Sequence, residues 1–250
     1  MLYNIIGDIH GREIWKTLIK KDAVNIFVGD YLDPYIDISF EQCLQNFQDI
    51  ITLKQLNPQS IILLLGNHDL HYFDVGEHYS RYDYDNALTI RSFLCDNIHW
   101  FHGIAYSIDN KILVSHAGVT LTWLVRHGFS ADEEITPDNV AQHINNLFFS
   151  DYMGTYYWNS LENFLFDSCC DPGDFIGDSA GAPPTWVRPA TLIENNVFAN
   201  TDYVQVVGHT QMPNIHKVDN VYFIDCLGKM PLNSKLPRSL MIADGKFANI

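Results

Sequence analysis

Five short runs rich in β-branched and apolar residues recur along the chain: Leu2–Ile6, Ala23–Val28, Ser60–Leu65, Lys111–Val114 and Tyr203–Val207. Each ends in a tight polar turn opened by Gly or Ser, the pattern expected of a buried strand that stops abruptly. Helical periodicity fills the gaps between the first three, over Glu13–Lys20 and Phe40–Leu56. The second segment puts Phe40, Cys43, Leu44, Phe47, Ile50 and Ile51 on one face. Alternating strands and helices predict a parallel or mixed sheet with helices outside, and ligand sites in such sheets lie beyond the carboxyl ends of the strands. Two hairpins are expected as well, Ile104–Ser107 with Lys111–Ser115 across Asp109-Asn110, and Ser239–Ala243 with Phe247–Ile250 across Asp244-Gly245. The residues alone thus predict an α/β chain with an antiparallel end.

From about 150 to 189 the periodicity changes. Tyr152, Tyr156, Tyr157, Trp158, Phe164 and Phe166 precede a Gly/Pro-rich stretch from Asp171 to Pro184. Turn formers argue against a regular element there. We read an inserted helical and loop region over the site, inside a single domain spanning residues 1–250, with the aromatic residues packing rather than stacking on a nucleobase.

Composition narrows the function. Among 250 residues, 15 Lys and Arg oppose 30 Asp and Glu, a net charge of −15, while 47% of residues are apolar. The chain can build a real core, and its charge opposes binding an extended nucleic acid or an anionic lipid surface. The longest apolar run, Ile61 to Leu65, is far short of a membrane span. The first residues carry no leader-like pattern, and five scattered cysteines (Cys43, Cys95, Cys169, Cys170, Cys226) fit reduced thiols. A cytoplasmic protein is expected.

The chemistry sits in the turns. Asp8 and His10 stand two apart after the first strand, so both side chains leave its end on the same side. A carboxylate and an imidazole converging there are ligands for a first-row metal. Gly29-Asp30-Tyr31-Leu32-Asp33 follows the second strand and Gly66-Asn67-His68-Asp69 the third. His116 follows the fourth and His209 the fifth. Asn67 is a neutral ligand, which an acid–base site would not need and a dinuclear site uses to limit negative charge.

This series, spread over residues 7–210, resembles the calcineurin-like metallophosphoesterase superfamily, with its Asp-x-His, Gly-Asp-x-x-Asp, Gly-Asn-His-Asp/Glu, later His and final Gly-His. Gly7–Gly11, Ser115–Gly118 and Trp186-Val187-Arg188-Pro189 look most like the bacterial serine/threonine phosphoprotein phosphatases and the symmetrical dinucleoside tetraphosphate hydrolases. The resemblance implies a four-layer sandwich of two mixed sheets flanked by helices. It implies two divalent metal ions, manganese first among Mn, Fe, Zn and Ni. Asp8 and His10 would bind one ion, Asp30 would bridge both, and Asn67, His116 and His209 would complete the second site, Asn67 also touching the substrate phosphate. A metal-bridging hydroxide would attack phosphorus directly, His68 would protonate the leaving alcohol and Asp33 would hold its imidazole.

One departure matters. Where the phosphatases carry a phosphate-clamping Arg after the Asp33 position, this chain has Pro34. Arg188 matches the family's second phosphate-binding Arg, and Arg12 is the next candidate. The leading expectation is hydrolysis of a phosphomonoester, such as phosphoserine or phosphothreonine in a protein. Dinucleoside polyphosphate hydrolysis is the alternative, prompted by Gly-Asn-His-Asp-Leu-His at 66–71; a metal-binding scaffold without turnover is the third. The partner is accordingly a phosphorylated small molecule, nucleotide or phosphoprotein. His71 and His78, in the loop after the third motif, are read as pocket-edge or surface residues.

Overall fold

A computed structural model describes residues 1–73, 79–158, 166, 174, 176–228 and 238–250, with the backbone alone for 151–158. In chain order the elements are β1 (Leu2–Ile6), α1 (Trp15–Leu18), β2 (Val24–Phe27), α2 (Phe40–Leu56), β3 (Ile61–Leu63), α3 (Asn67–Leu70) and α4 (Ala87–Asn97). There follow β4 (Ala105–Ile108), β5 (Ile112–Ser115), α5 (Leu121–Arg126), α6 (Pro137–Trp158), α7 (Pro189–Glu194), β6 (Val204–Val207), β7 (His216–Val218), β8 (Val221–Phe223), β9 (Ser239–Ala243) and β10 (Lys246–Asn249).

The strands form two five-stranded mixed sheets, ordered β10-β9-β1-β2-β3 and β4-β5-β6-β8-β7. In the first, β1, β2 and β3 are parallel; in the second, β5, β6 and β8 are. Alternation along each strand decides which core a residue enters. Tyr3 and Ile5, with Ile26, Val28, Ile62 and Leu64, face Ile112, Val114, Val206 and Ile224 of the other sheet, forming the layer between sheets. Ile6, Phe27 and Leu63 point the opposite way, into a second core with Phe47 and Ile50 of α2 and Leu94 of α4. Leu113 of the second sheet packs outward with Val140, Ile144 and Phe148 of α6.

Both expected hairpins are present. Asp109 and Asn110 have φ of 51° and 49°, Asp244 and Gly245 47° and 71°, the left-handed pairs of a two-residue turn whose twist matches its strands. The helix expected over Glu13–Lys20 is shorter, α1 alone. Asn4 Nδ2 donates to the Leu18 carbonyl at 3.0 Å and Lys20 N donates to Asn25 Oδ1 at 2.9 Å. Two buried strand asparagines thus take the groups that would have continued the helix.

The changed pattern near 150 is partly explained: α6 starts at Pro137 and runs to Trp158. The aromatic side chains Tyr152, Tyr156, Tyr157, Trp158 and Phe164, the adjacent Cys169 and Cys170, and His78 lie outside the described residues. Phe166 is buried between Trp123 and Phe148. Beyond it, the Asp174 carboxylate accepts N–H bonds from Ile176, Gly177, Asp178 and Ser179, which fixes the turn leading to Arg188. Among the described residues no helix is long and apolar enough to cross a membrane.

Candidate metal centre

The parallel strands of both sheets deliver their carboxyl ends to one place. β1 brings Asp8 and His10, β2 brings Asp30 and Asp33, and β3 runs into α3 with Asn67 and His68. From the second sheet, β5 brings His116 and β6 brings His209. Except for His209, which is partly buried, all are buried. The turns are tight enough that His10, Asp30, Asp33 and His209 take left-handed backbone with φ of 45°, 52°, 56° and 65°. Such non-glycine positions cost energy and cluster at functional sites. Gly66 and Gly208 make the crowding possible: a Cβ on either would collide with a carboxylate oxygen, of Asp30 and Asp8 respectively.

Hydrogen bonds aim the donors. His10 Nδ1 lies 2.9 Å from the Leu32 carbonyl, and His116 Nδ1 lies 2.9 Å from the Val28 carbonyl. With Nδ1 on a carbonyl, Nε2 is the nitrogen left to hold an ion, and both Nε2 atoms face the same oxygen, Asp30 Oδ2, at 3.5 and 3.4 Å. Anchoring one ring nitrogen on a carbonyl so that the other can ligate is how metal-binding histidines are held. Asn67 Oδ1 stands 2.9 Å from His116 Nε2 and 3.0 Å from His209 Nδ1. The other His209 nitrogen, Nε2, is buried without a hydrogen-bond partner. The backbone N–H of His209 donates to Asp8 Oδ2 at 3.0 Å, and that of His68 to Asp30 Oδ1 at 2.9 Å.

Ligand atoms of Asp8, His10 and Asp30 lie within 4.8 Å of one another, as do those of Asp30, His116 and His209. Asp30 belongs to both groups. This donor set of carboxylate, amide and imidazole fits two divalent cations sharing one carboxylate.

The protonation states record charge that these side chains do not balance alone. Burial, and then Asp225, push Asp8 well above the usual carboxylate range. Burial would raise Asp30 too, but His116, His68 and His10 outweigh it and hold it well below. Burial would lower His116, yet Asp30 and Asp8 carry it to about 10. His10 falls to about 4 through burial, against the pull of Asp30.

Beside this cluster, His68 Nδ1 and Asp33 Oδ2 are 2.8 Å apart. Burial opposes protonation of His68, but Asp30 and Asp33 prevail and raise its pKa. His68 Nε2, the ring's other nitrogen, lies 3.4 Å from the Tyr35 hydroxyl. The two candidate arginines differ. Arg188 is half-buried, with Nε donating to the Ile176 carbonyl at 2.6 Å and Nη1 to Thr210 Oγ1 at 3.2 Å, one residue from His209. Arg12 is buried; Asp225 and then Asp8 act on it most strongly among its neighbours, and its Nη2 has no hydrogen-bond partner.

Sequence reasoning missed several residues. Asp69 accepts from the backbone N–H groups of Asp30, Tyr31 and Gly66, tying the second and third turns together. Asp225, just beyond β8, is buried against Asp8 with neither carboxylate oxygen hydrogen-bonded. Only a position after a parallel strand could have pointed to it, because Ile224-Asp225-Cys226 lacks the glycine that marked the other turns. Arg81 fills the neighbourhood of Pro34: its Nη1 donates to the Pro34 carbonyl at 3.1 Å and its guanidinium lies 4.4 Å from the Tyr35 ring centre. His71, read as an edge residue, is instead fully buried against Asp33, at 2.7 Å.

The profile described as calcineurin-like phosphoesterase matches residues 1–221. The chain is 32% identical over 128 residues to the serine/threonine-protein phosphatase ppe1 of Schizosaccharomyces pombe, covering 46% of this chain and 39% of that protein. It is 30% identical over 129 residues to the serine/threonine-protein phosphatase 6 catalytic subunit of Drosophila melanogaster, again 46% and 39% of the two chains. The chain thus spans about two-fifths of the length of these relatives. A solved cold-active protein-tyrosine phosphatase from a psychrophilic Shewanella has the same fold, with a TM-score of 0.59 at 17% identity over 98% of this chain and 76% of that one.

Proposed function

The chain belongs to the calcineurin-like phosphoesterase family, and from that premise we propose that it hydrolyses phosphomonoesters, with phosphoserine or phosphothreonine in proteins as the substrate class. The observation that carries this reading is Asp30, common to two ligand groups, with the His68–Asp33 pair beside them. The names of the relatives, both serine/threonine phosphatases, favour a phosphoprotein over a dinucleotide. Asp8, His10, Asp30, Asn67, His116 and His209 would hold two divalent ions, manganese being our choice. Bound there, the ions would polarise the phosphoryl oxygens and acidify a water. His68 donates the proton the leaving alkoxide needs, and Asp33 keeps its Nδ1 occupied so that Nε2 faces the substrate. Asn67 and Arg188 bind the phosphate, and Arg12 counters the buried acids Asp225 and Asp8. Cys43, Cys95 and Cys226, none of them in a disulfide, agree with a cytoplasmic setting.

Protein supplied with Mn²⁺ should release phosphate from a phosphoserine peptide and from p-nitrophenyl phosphate, and turn over diadenosine tetraphosphate far more slowly. Preference for the dinucleotide would replace this reading with the polyphosphate one, and failure on all three would leave a scaffold. Arg188→Ala removes a charge-assisted contact to phosphate, so KM for the peptide should rise about 10- to 100-fold with a smaller change in kcat. An unchanged KM would take Arg188 out of the phosphate site.

A further inference from the structure

Asp33 has more partners than its pairing with His68 requires. Its Oδ2 meets His68 Nδ1 at 2.8 Å and His71 Nε2 at 2.7 Å, while Oδ1 accepts the Tyr72 hydroxyl at 2.5 Å. The whole group is sealed, with Asp33 4%, His71 0% and Tyr72 1% exposed. His68, His71 and Tyr72 come from one short stretch, since α3 and the turn after it place the first two a helical turn apart with ring centres separated by 5.5 Å. Neither is free to turn away. Tyr72 stacks on Tyr82 at 4.7 Å and its oxygen accepts the Asp83 N–H at 3.0 Å. The His71 ring stands edge-on to Tyr72 at 4.5 Å and to Tyr82 at 5.0 Å, parallel to Tyr79 at 6.4 Å. Neither ring nitrogen of His71 makes an aligned hydrogen bond, so the contact with Asp33 is its one close polar interaction among the described residues.

We propose that His71 and Tyr72 are positioning residues that clamp the Asp33 carboxylate from both oxygens and thereby hold the His68 imidazole in the pose from which Nε2 meets the leaving group. The proposal rests on His68 being the general acid. A carboxylate held at one oxygen can rotate, and the imidazole it orients turns with it. Held at both oxygens, by the Tyr72 hydroxyl and by the close approach of His71 Nε2, Asp33 is fixed, and the His68 ring bonded to it keeps Nε2 aimed at the leaving group.

The test is the dependence of rate on the leaving group. An alkyl phosphate such as a phosphoserine peptide needs a proton on its departing oxygen, whereas p-nitrophenyl phosphate leaves as a stable anion and needs little help. Tyr72→Phe keeps the stacked ring and removes the O–H; His71→Phe keeps the ring packing and removes both nitrogens. Each should lower kcat for the phosphopeptide about 10- to 100-fold, and for p-nitrophenyl phosphate at least tenfold less, with KM and bound metal unchanged. His71→Gln, which can return a donor near the Nε2 position, should recover part of the loss. Equal losses on both substrates, a loss confined to KM, or no rescue by His71→Gln alongside a full effect of His71→Phe would overturn the proposal. So would a wild-type metal content of three ions falling to two in His71→Phe, because Asp33, His68 and His71 also stand close enough to share an ion. Wild-type protein inactive on both substrates sinks the phosphomonoesterase reading itself, and this proposal with it.

Discussion

Replacing His68 with Asn should cut kcat for a phosphoserine peptide by about 10²- to 10⁴-fold, the usual contribution of a general acid, while the metal content stays at the wild-type level. The structure makes this a clean substitution. The Asn side-chain amide can occupy the place of Nδ1 and still donate to Asp33, now 2.8 Å away, so the buried carboxylate keeps a partner. What disappears is Nε2, the nitrogen beside the Tyr35 hydroxyl. The backbone N–H of residue 68, which donates to Asp30, is untouched. Steady-state kinetics with parallel elemental analysis decides it. A rate within threefold of wild type would remove His68 from the chemistry, and a loss of metal would make it structural support for the ligands.

Stripping the metal with a chelator should abolish turnover and lower the melting temperature by about 10 °C. Ligand at about 1,000 times its dissociation constant stabilises by about 4 kcal/mol, and each kcal/mol moves the midpoint of a chain this long by about 2–4 °C. The sign of the pH dependence follows from His116. Asp30 and Asp8 overcome burial and raise it to about 10 in the metal-free fold. A raised folded pKa gives stability that is complete below the unfolded value of about 6.5 and is lost as pH climbs towards the folded one. Asp225, raised to about 7 by burial and by Asp30, fades in the same direction. His10, lowered to about 4 by burial, acts oppositely but has finished acting by about pH 7. The metal-free protein should therefore melt progressively lower between about pH 7 and 8.5, and the loaded protein, whose ligands are already deprotonated, should change less. Scanning calorimetry of both forms checks it; a metal-free midpoint that is flat or rises over that interval would contradict the charge balance drawn here.

Much of the candidate site was legible in the chain because its logic is local. A buried strand, a small residue and a polar ligand form a signal within six residues, so Asp8, Asp30, Asn67, His116 and His209 could be picked out at strand ends, and two β-sheets brought them together. The helix α2 was legible over its full length, since its apolar face repeats and Ser39 with Gln42 forms a capping box. What escaped depends on packing between segments distant in sequence. α1 stops at Leu18 because Asn4, fourteen residues earlier, captures its carbonyl. Asp225 meets Asp8 only through the neighbouring sheets, with no turn glycine to mark it. His71 looked like any loop histidine; its importance lies in an Asp 38 positions earlier that happens to be buried against it. Arg81 is the same case, since nothing near it in sequence says that its guanidinium covers Tyr35 beside Pro34.

The most direct test of a two-ion centre built on a shared carboxylate is a crystal structure of the Mn²⁺-loaded protein with phosphate, read at the manganese absorption edge. Two anomalous peaks with Asp30 touching both, His10 and Asp8 on one and Asn67, His116 and His209 on the other, is the predicted result. A single peak, or two that do not share Asp30, would contradict it.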